Sequence, residues 1–166
     1  MLKKENGREI KVADFRFKFS VLGFIIFMIP MIINIVYMIF PPVNAADDTS
    51  NVNKAWEIIE HSTRILYAIA ICVIVSDQKL NDKSIWLYLG LLFLVLYYIA
   101  WIRYFIGGRD AALLAKSFFF VPMPLAVFPV LYFLFAAIWM HNYVAAVFML
   151  IFGIAHNVVS YASLHQ

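Results

Sequence analysis

The chain has 166 residues, 64% of them hydrophobic and 14% charged, with a formal net charge of +3 and a mean hydropathy of +0.85. A soluble domain of this size has too much surface to hide that apolar content, so the composition excludes a soluble globular fold and indicates one integral membrane unit. The net positive charge does not indicate a nucleic-acid partner, because six of the thirteen Lys and Arg fall in the first 18 residues, directly before the first apolar run.

Residues 1–16 read as a basic cytoplasmic arm, and residues 17–166 as a domain of five membrane-spanning helices with short loops. The fold expected is therefore all-α. The first span is placed at residues 17–40. Its apolar run is longer than a signal peptide's and is interrupted by Pro30 and Asn34, so it reads as an uncleaved helix. Spans two to five are placed at residues 55–76, 84–104, 117–139 and 143–164, separated by DQKLNDK, IGGRDAALLAK and MHN. No alternation of period two indicates a β-barrel. Counting Lys and Arg in the loops gives eight on the N-terminal side against four opposite. The N-terminus is thus expected in the cytoplasm and the C-terminus outside, with the plasma membrane as the expected location.

The second span opens with EIIEHSTR, where Glu57, Glu60, His61 and Arg64 follow the spacing i, i+3, i+4, i+7. At 100° per residue they cover about 100° of one helix face, which continues into Ala68, Ile71 and Val75. The apolar remainder covers only about 16 Å, half a hydrocarbon core, so Arg64 stands at membrane depth and requires a partner. Glu60 with Arg64, and Glu57 with His61, are the local i,i+4 pairs that would neutralise the stripe. The fifth span repeats the pattern with Gly153, His156, Ser160 and Ser163 on one face and Asn157 beside it. Small and hydroxyl residues of this kind also make a tight helix seam.

Up-and-down topology brings both stripes to the same end of the bundle. Asn34 and Tyr37 of the first span and Tyr97, Tyr98, Trp101, Arg103 and Tyr104 of the third lie at that end as well. Pro122 and Pro124 sit near the start of the fourth span and Pro129 deeper, where it would kink the helix.

A polar pocket between the second and fifth spans is the expected site, in the outer leaflet. Arg64 is the charged anchor, Glu57, Glu60 and His61 tune it, and His156, Asn157 and Ser160 face them, with Asn34, Tyr97 and Tyr98 in reach. The function expected is binding of a small or amphiphilic ligand, coupled to transport or sensing, with membrane lipid as surroundings. The alternatives are an accessory subunit, recognising a partner subunit or a second copy through its polar stripes, and an intramembrane enzyme. A metal shared by Glu57, His61 and His156 is disfavoured by the absence of a repeated Glu-x-x-His or an HExxH motif. No catalytic residue, metal ligand or cofactor is assigned: nucleophile elbows, phosphate loops and dinucleotide fingerprints are absent, and Cys72 has no partner cysteine.

Overall fold

The computed structural model describes residues 15–44, 53–118 and 120–164. The expected basic arm lies outside these residues except for Phe15 and Arg16, as does the acidic pair Asp47 and Asp48. The order of elements is β1 (Phe15–Phe17), α1 (Val21–Ile39), α2 (Lys54–Val73), β2 (Ile74–Ser76), α3 (Ile85–Ile106), α4 (Ala112–Ala115), α5 (Pro124–Trp139) and α6 (Tyr143–Leu164). The chain is mostly helical, and α1, α3 and α6 are long and apolar enough to cross a membrane. α2 has the length, about 30 Å, but carries Glu57, Glu60 and Arg64 within it; α5, at 16 residues, reaches about 24 Å.

Two expected spans are shorter than their apolar runs, each for a local reason. The fourth was placed at residues 117–139, yet its helix begins at Pro124. Val121 and Met123 both precede prolines, which disfavours helical dihedrals at each, and Met123 takes a left-handed conformation at φ 48°. Pro124 then occupies the first helical position, where its missing N–H costs nothing. The second span was placed at residues 55–76, yet its last three residues form strand β2. That strand pairs antiparallel with β1, with Phe15, Arg16 and Phe17 facing Ser76, Val75 and Ile74. The ladder continues through Lys18 N–H to Val73 O (2.9 Å) and Ser20 N–H to Cys72 O (2.7 Å). Arg16 and Asp77 close its outer end with a 2.7 Å ion pair.

Side-chain caps fix several helix starts. Ser20 Oγ accepts the Gly23 N–H at 3.0 Å and Asn53 Oδ1 accepts the Ala55 N–H at 2.9 Å. Asn142 is fully buried and joins three elements: Oδ1 accepts the Ala145 N–H of α6 at 3.0 Å, while Nδ2 donates to Ala70 O and Ile74 O at 2.9 and 2.8 Å. One amide thereby starts α6 and satisfies carbonyls at the end of α2.

α2 packs chiefly on α6 and α3 on α5, and α5 against α6 joins the two pairs. α1 closes the remaining gap, lying against α2 with lesser contacts to α3 and α5. At its N-terminal end α1 is tight against α2, because a Cβ on Gly23 would overlap the Ile71 carbonyl. Pro30 breaks the α1 ladder by removing the donor that Ile26 O would receive. The buried Tyr132 hydroxyl of α5 supplies one instead at 3.0 Å, and Tyr98 donates to Ile29 O at 2.6 Å. The carbonyls of Ile26 and Ile29 thereby fasten α1 to α5 and α3.

Loop contacts confirm which helix ends lie together. Val43 N–H donates to Arg109 O at 3.1 Å, and Asn44 donates to Asp110 and accepts from Ala111 N–H at 3.0 and 2.8 Å. At the opposite end the Trp139 indole donates to Asn81 O at 2.9 Å.

Candidate functional site

Glu60 is the centre of the polar end. Its side chain is only 5% exposed, and Oε1 accepts a hydrogen bond from Arg64 one turn along α2. His156 Nδ1 of α6 lies 3.0 Å from the same oxygen. An ionised carboxylate only accepts, so Nδ1 carries the proton of that bond. The two stripes thus meet, through one residue from each and Arg64.

The rest of the α2 stripe is distributed differently from the expectation. The buried residues of α2 are Glu60, Thr63, Tyr67, Ala70 and Ile71. Their mean direction is about 80° away from that of Glu57, Glu60, His61 and Arg64 at 100° per residue. Glu60 belongs to both sets. Glu57 is therefore only half-buried and His61 faces outward, and the expected Glu57–His61 pair is not formed. Arg64 stands at the margin, its side chain 51% exposed and its guanidinium 5.5 Å above the Phe152 ring of α6.

A cavity of about 430 Å³ opens in front of the Glu60–His156 contact. It is not confined to the second and fifth spans as expected: all five long helices line it. α1 presents Phe27, Met31, Asn34 and Met38; α2 presents Arg64 and Tyr67; α3 presents Tyr97 and Trp101. Pro129 and Phe133 of α5 and Met149, Phe152 and His156 of α6 complete the wall. A second cavity of about 330 Å³ shares Tyr37, Trp101, Leu125 and His156 with the first and adds Glu60, Ser160 and Ser163.

Most of the polar lining is held in place by specific bonds. Tyr97 donates to Asn34 Oδ1 at 2.6 Å, joining α3 to α1, and Tyr67 donates to Phe133 O at 3.1 Å, joining α2 to α5. The His156 ring stacks on Phe152 with centroids 5.0 Å apart. Four predicted residues line neither of these cavities: Glu57 and His61, turned away on α2, and Asn157 and Tyr98. Asn157 turns back to its own helix and donates to Gly153 O at 2.7 Å, and Tyr98 is committed to Ile29 O. Ser160 lines the smaller cavity beside Glu60 and His156. Among the described residues no three His, Cys, Asp or Glu side chains gather in a metal-binding group, so Glu57, His61 and His156 do not form one.

Sequence reasoning missed Tyr67, Trp101 as a wall shared by both cavities, and the structural Asn142. Asn142 was legible only as the last residue of a three-residue turn. Its buried capping role follows from His141 adopting a left-handed φ of 54°, which turns the chain sharply into α6. Arg103, placed at the end of the third span, bonds Ser117 O at 2.8 Å and the Lys116 carbonyl, holding the α4 segment under the end of α3.

Comparison of the chain with models of protein families, with curated proteins and with solved structures finds no match in any of the three.

Proposed function

We propose that the chain is a five-span protein of the plasma membrane that binds a small amphiphilic molecule within the bundle, with its N-terminus cytoplasmic and its polar end in the outer leaflet. The observation that carries this reading is the 430 Å³ cavity, whose apolar wall is broken by Arg64, His156, Asn34 and tyrosines. Binding sites for small molecules have this composition: a mostly apolar concavity with a few fixed polar groups. Glu60 supports the reading in a second way. It neutralises Arg64 where an unpaired charge at membrane depth would cost several kcal/mol, about 2.5–3.5 on insertion scales. It also turns His156 toward the site. Binding of this kind would serve transport or sensing.

All five long helices, including the charged α2 and the short α5, belong to the bundle in this reading. Their shared packing supports it, since α5 lies between α3 and α6 and α2 against α6. An accessory-subunit role is favoured by one feature, the exposed His61 on the outer side of α2, which a partner helix could engage.

The test is binding of a panel of fluorescent amphiphiles to the full chain reconstituted in nanodiscs. Arg64→Ala is expected to weaken saturable binding about tenfold, as loss of one charge-assisted hydrogen bond predicts. Binding that is unchanged in Arg64→Ala, or wild-type binding that never saturates, would overturn the reading.

A further inference from the structure

The hydrogen-bonding inventory of the larger cavity is unbalanced, and its imbalance specifies a ligand. Asn34 Oδ1 is occupied by Tyr97, whereas Asn34 Nδ2 has only a 3.9 Å contact to the Met31 sulfur. Arg64 has one of its N–H groups on Glu60 and no other hydrogen bond among the described residues. Tyr37 lines the same space, and its hydroxyl makes no hydrogen bond among the described residues either. Glu60, the acid that could offer acceptor atoms, lines the smaller cavity and not this one. His156 Nε2 accepts when the ring is neutral and the tyrosine hydroxyls both donate and accept, whereas the spare groups that fix the polarity of the larger cavity, the Arg64 guanidinium and Asn34 Nδ2, only donate. Its remaining wall, including Phe27, Met31, Met149 and Phe152, is apolar.

The way in is equally specific. Met38 of α1 is 78% exposed and the Arg64 side chain of α2 half exposed, yet both line the cavity, so its mouth lies between these two helices. α1 and α2 are pinned together at Gly23 and Ile71, toward the opposite end, which leaves their Met38 and Arg64 ends free to diverge. A gap between two helices at that level faces the bilayer.

Resting on the amphiphile-binding reading above, we propose that the ligand is a single-chain acyl amphiphile whose head accepts hydrogen bonds and donates none. A carboxylate or an ester carbonyl has this chemistry. It enters sideways from the bilayer between α1 and α2, its head on Arg64, Asn34 and Tyr37 and its chain against the apolar wall. Arg64 is already partly neutralised by Glu60, so the acceptor character of the head matters more than its charge.

The experiment uses the full chain in nanodiscs with three bromine-labelled probes of equal chain length: a long-chain carboxylic acid, its methyl ester and the corresponding primary ammonium. Bromine quenches tryptophan at contact distance, and Trp101 lines both cavities. A Trp56→Phe, Trp86→Phe, Trp139→Phe variant leaves Trp101 as the reporter. Should that variant not fold, the quenching lost in Trp101→Phe relative to wild type gives the same quantity. The acid and ester are expected to quench Trp101 saturably, the ammonium at least about tenfold more weakly, and Arg64→Met to weaken acid and ester alike. A preference of tenfold or more for the acid over the ester would overturn the acceptor-over-charge part of the proposal. An ammonium that binds as tightly as the acid overturns the donor-lined assignment and leaves amphiphile binding standing. Failure of all three probes on a folded chain overturns amphiphile binding itself.

Discussion

Replacing Glu60 and His156 by alanine, singly and together, measures the contact that joins α2 to α6 beside the cavity. Hydrogen bonds involving a charged group contribute about 1.5–3 kcal/mol in soluble proteins. Between membrane helices, measured couplings average about 0.6 and reach about 1.7 kcal/mol. The Glu60 side chain is 5% and that of His156 23% exposed, and their bond is 3.0 Å long, which places this pair in the upper part of the membrane range. Glu60→Ala also strips Arg64 of its partner and should cost about 2–3 kcal/mol, moderated because Arg64 is half exposed and can reach polar surroundings. His156→Ala should cost about 1–2 kcal/mol, including its stacking on Phe152. The double variant should then fall short of the sum by about 1–1.7 kcal/mol. Reversible unfolding in bicelles, followed by helix content, provides the three values. Additivity within about 0.3 kcal/mol would show that the two side chains do not interact, and the site as drawn would fail.

Other consequences follow from the packing. Gly23→Ala forces a methyl group onto the Ile71 carbonyl, which is backbone and cannot rotate away, whereas Gly153→Ala meets only a methyl of Val130 at 2.6 Å. The first substitution should lower the thermal midpoint distinctly more than the second, by an overpacking cost of about 1–3 kcal/mol. Asn142→Ala removes three hydrogen bonds and leaves buried partners behind, so it should destabilise by about 2–4 kcal/mol in the same unfolding assay. Asp110 is held below its ordinary pKa of 3.8 by the Asn44 amide and then by the Ala112 N–H. A depressed carboxyl contributes its stability above the unfolded value and loses it as pH falls through the folded one. The junction of residues 43–44 with 109–112 should therefore stay closed at neutral pH and open below about pH 4, read as faster hydrogen exchange at Ala112.

Much of the fold is visible in the sequence because the bilayer imposes one-dimensional rules. Apolar runs of about 20 residues locate α1, α3 and α6 within a few positions. The runs do not locate the ends of α2 and α5, where other forces act. At Val121 and Met123 the following prolines override hydrophobicity, and at Ile74 an intact helix loses to pairing with Phe15–Phe17. Periodicity puts Glu57, Glu60, His61 and Arg64 on one arc, but it cannot say how that arc is turned about the helix axis. The apolar face of Thr63, Tyr67, Ala70 and Ile71 has more surface to bury and sets the rotation, which draws Glu60 inward and leaves His61 outside. The cavity was the least legible feature. It depends on how five helices pack, with α1 held close to α2 at Gly23 and to α5 through the Ile26 carbonyl, and such long-range contacts are not written in local spacing.

The most direct test of a bilayer-fed cavity inside the bundle is to find where a lipid-like molecule resides. A long-chain acid carrying a photoactivated diazirine in its tail, added to the full chain in nanodiscs and mapped by peptide mass spectrometry, reports this. Adducts are expected on Phe27, Met31, Leu125 and Met149, competed by excess unlabelled acid. Adducts confined to exposed outer positions of α3 such as Val95, Ile99 and Ile102, with no competition, would contradict it.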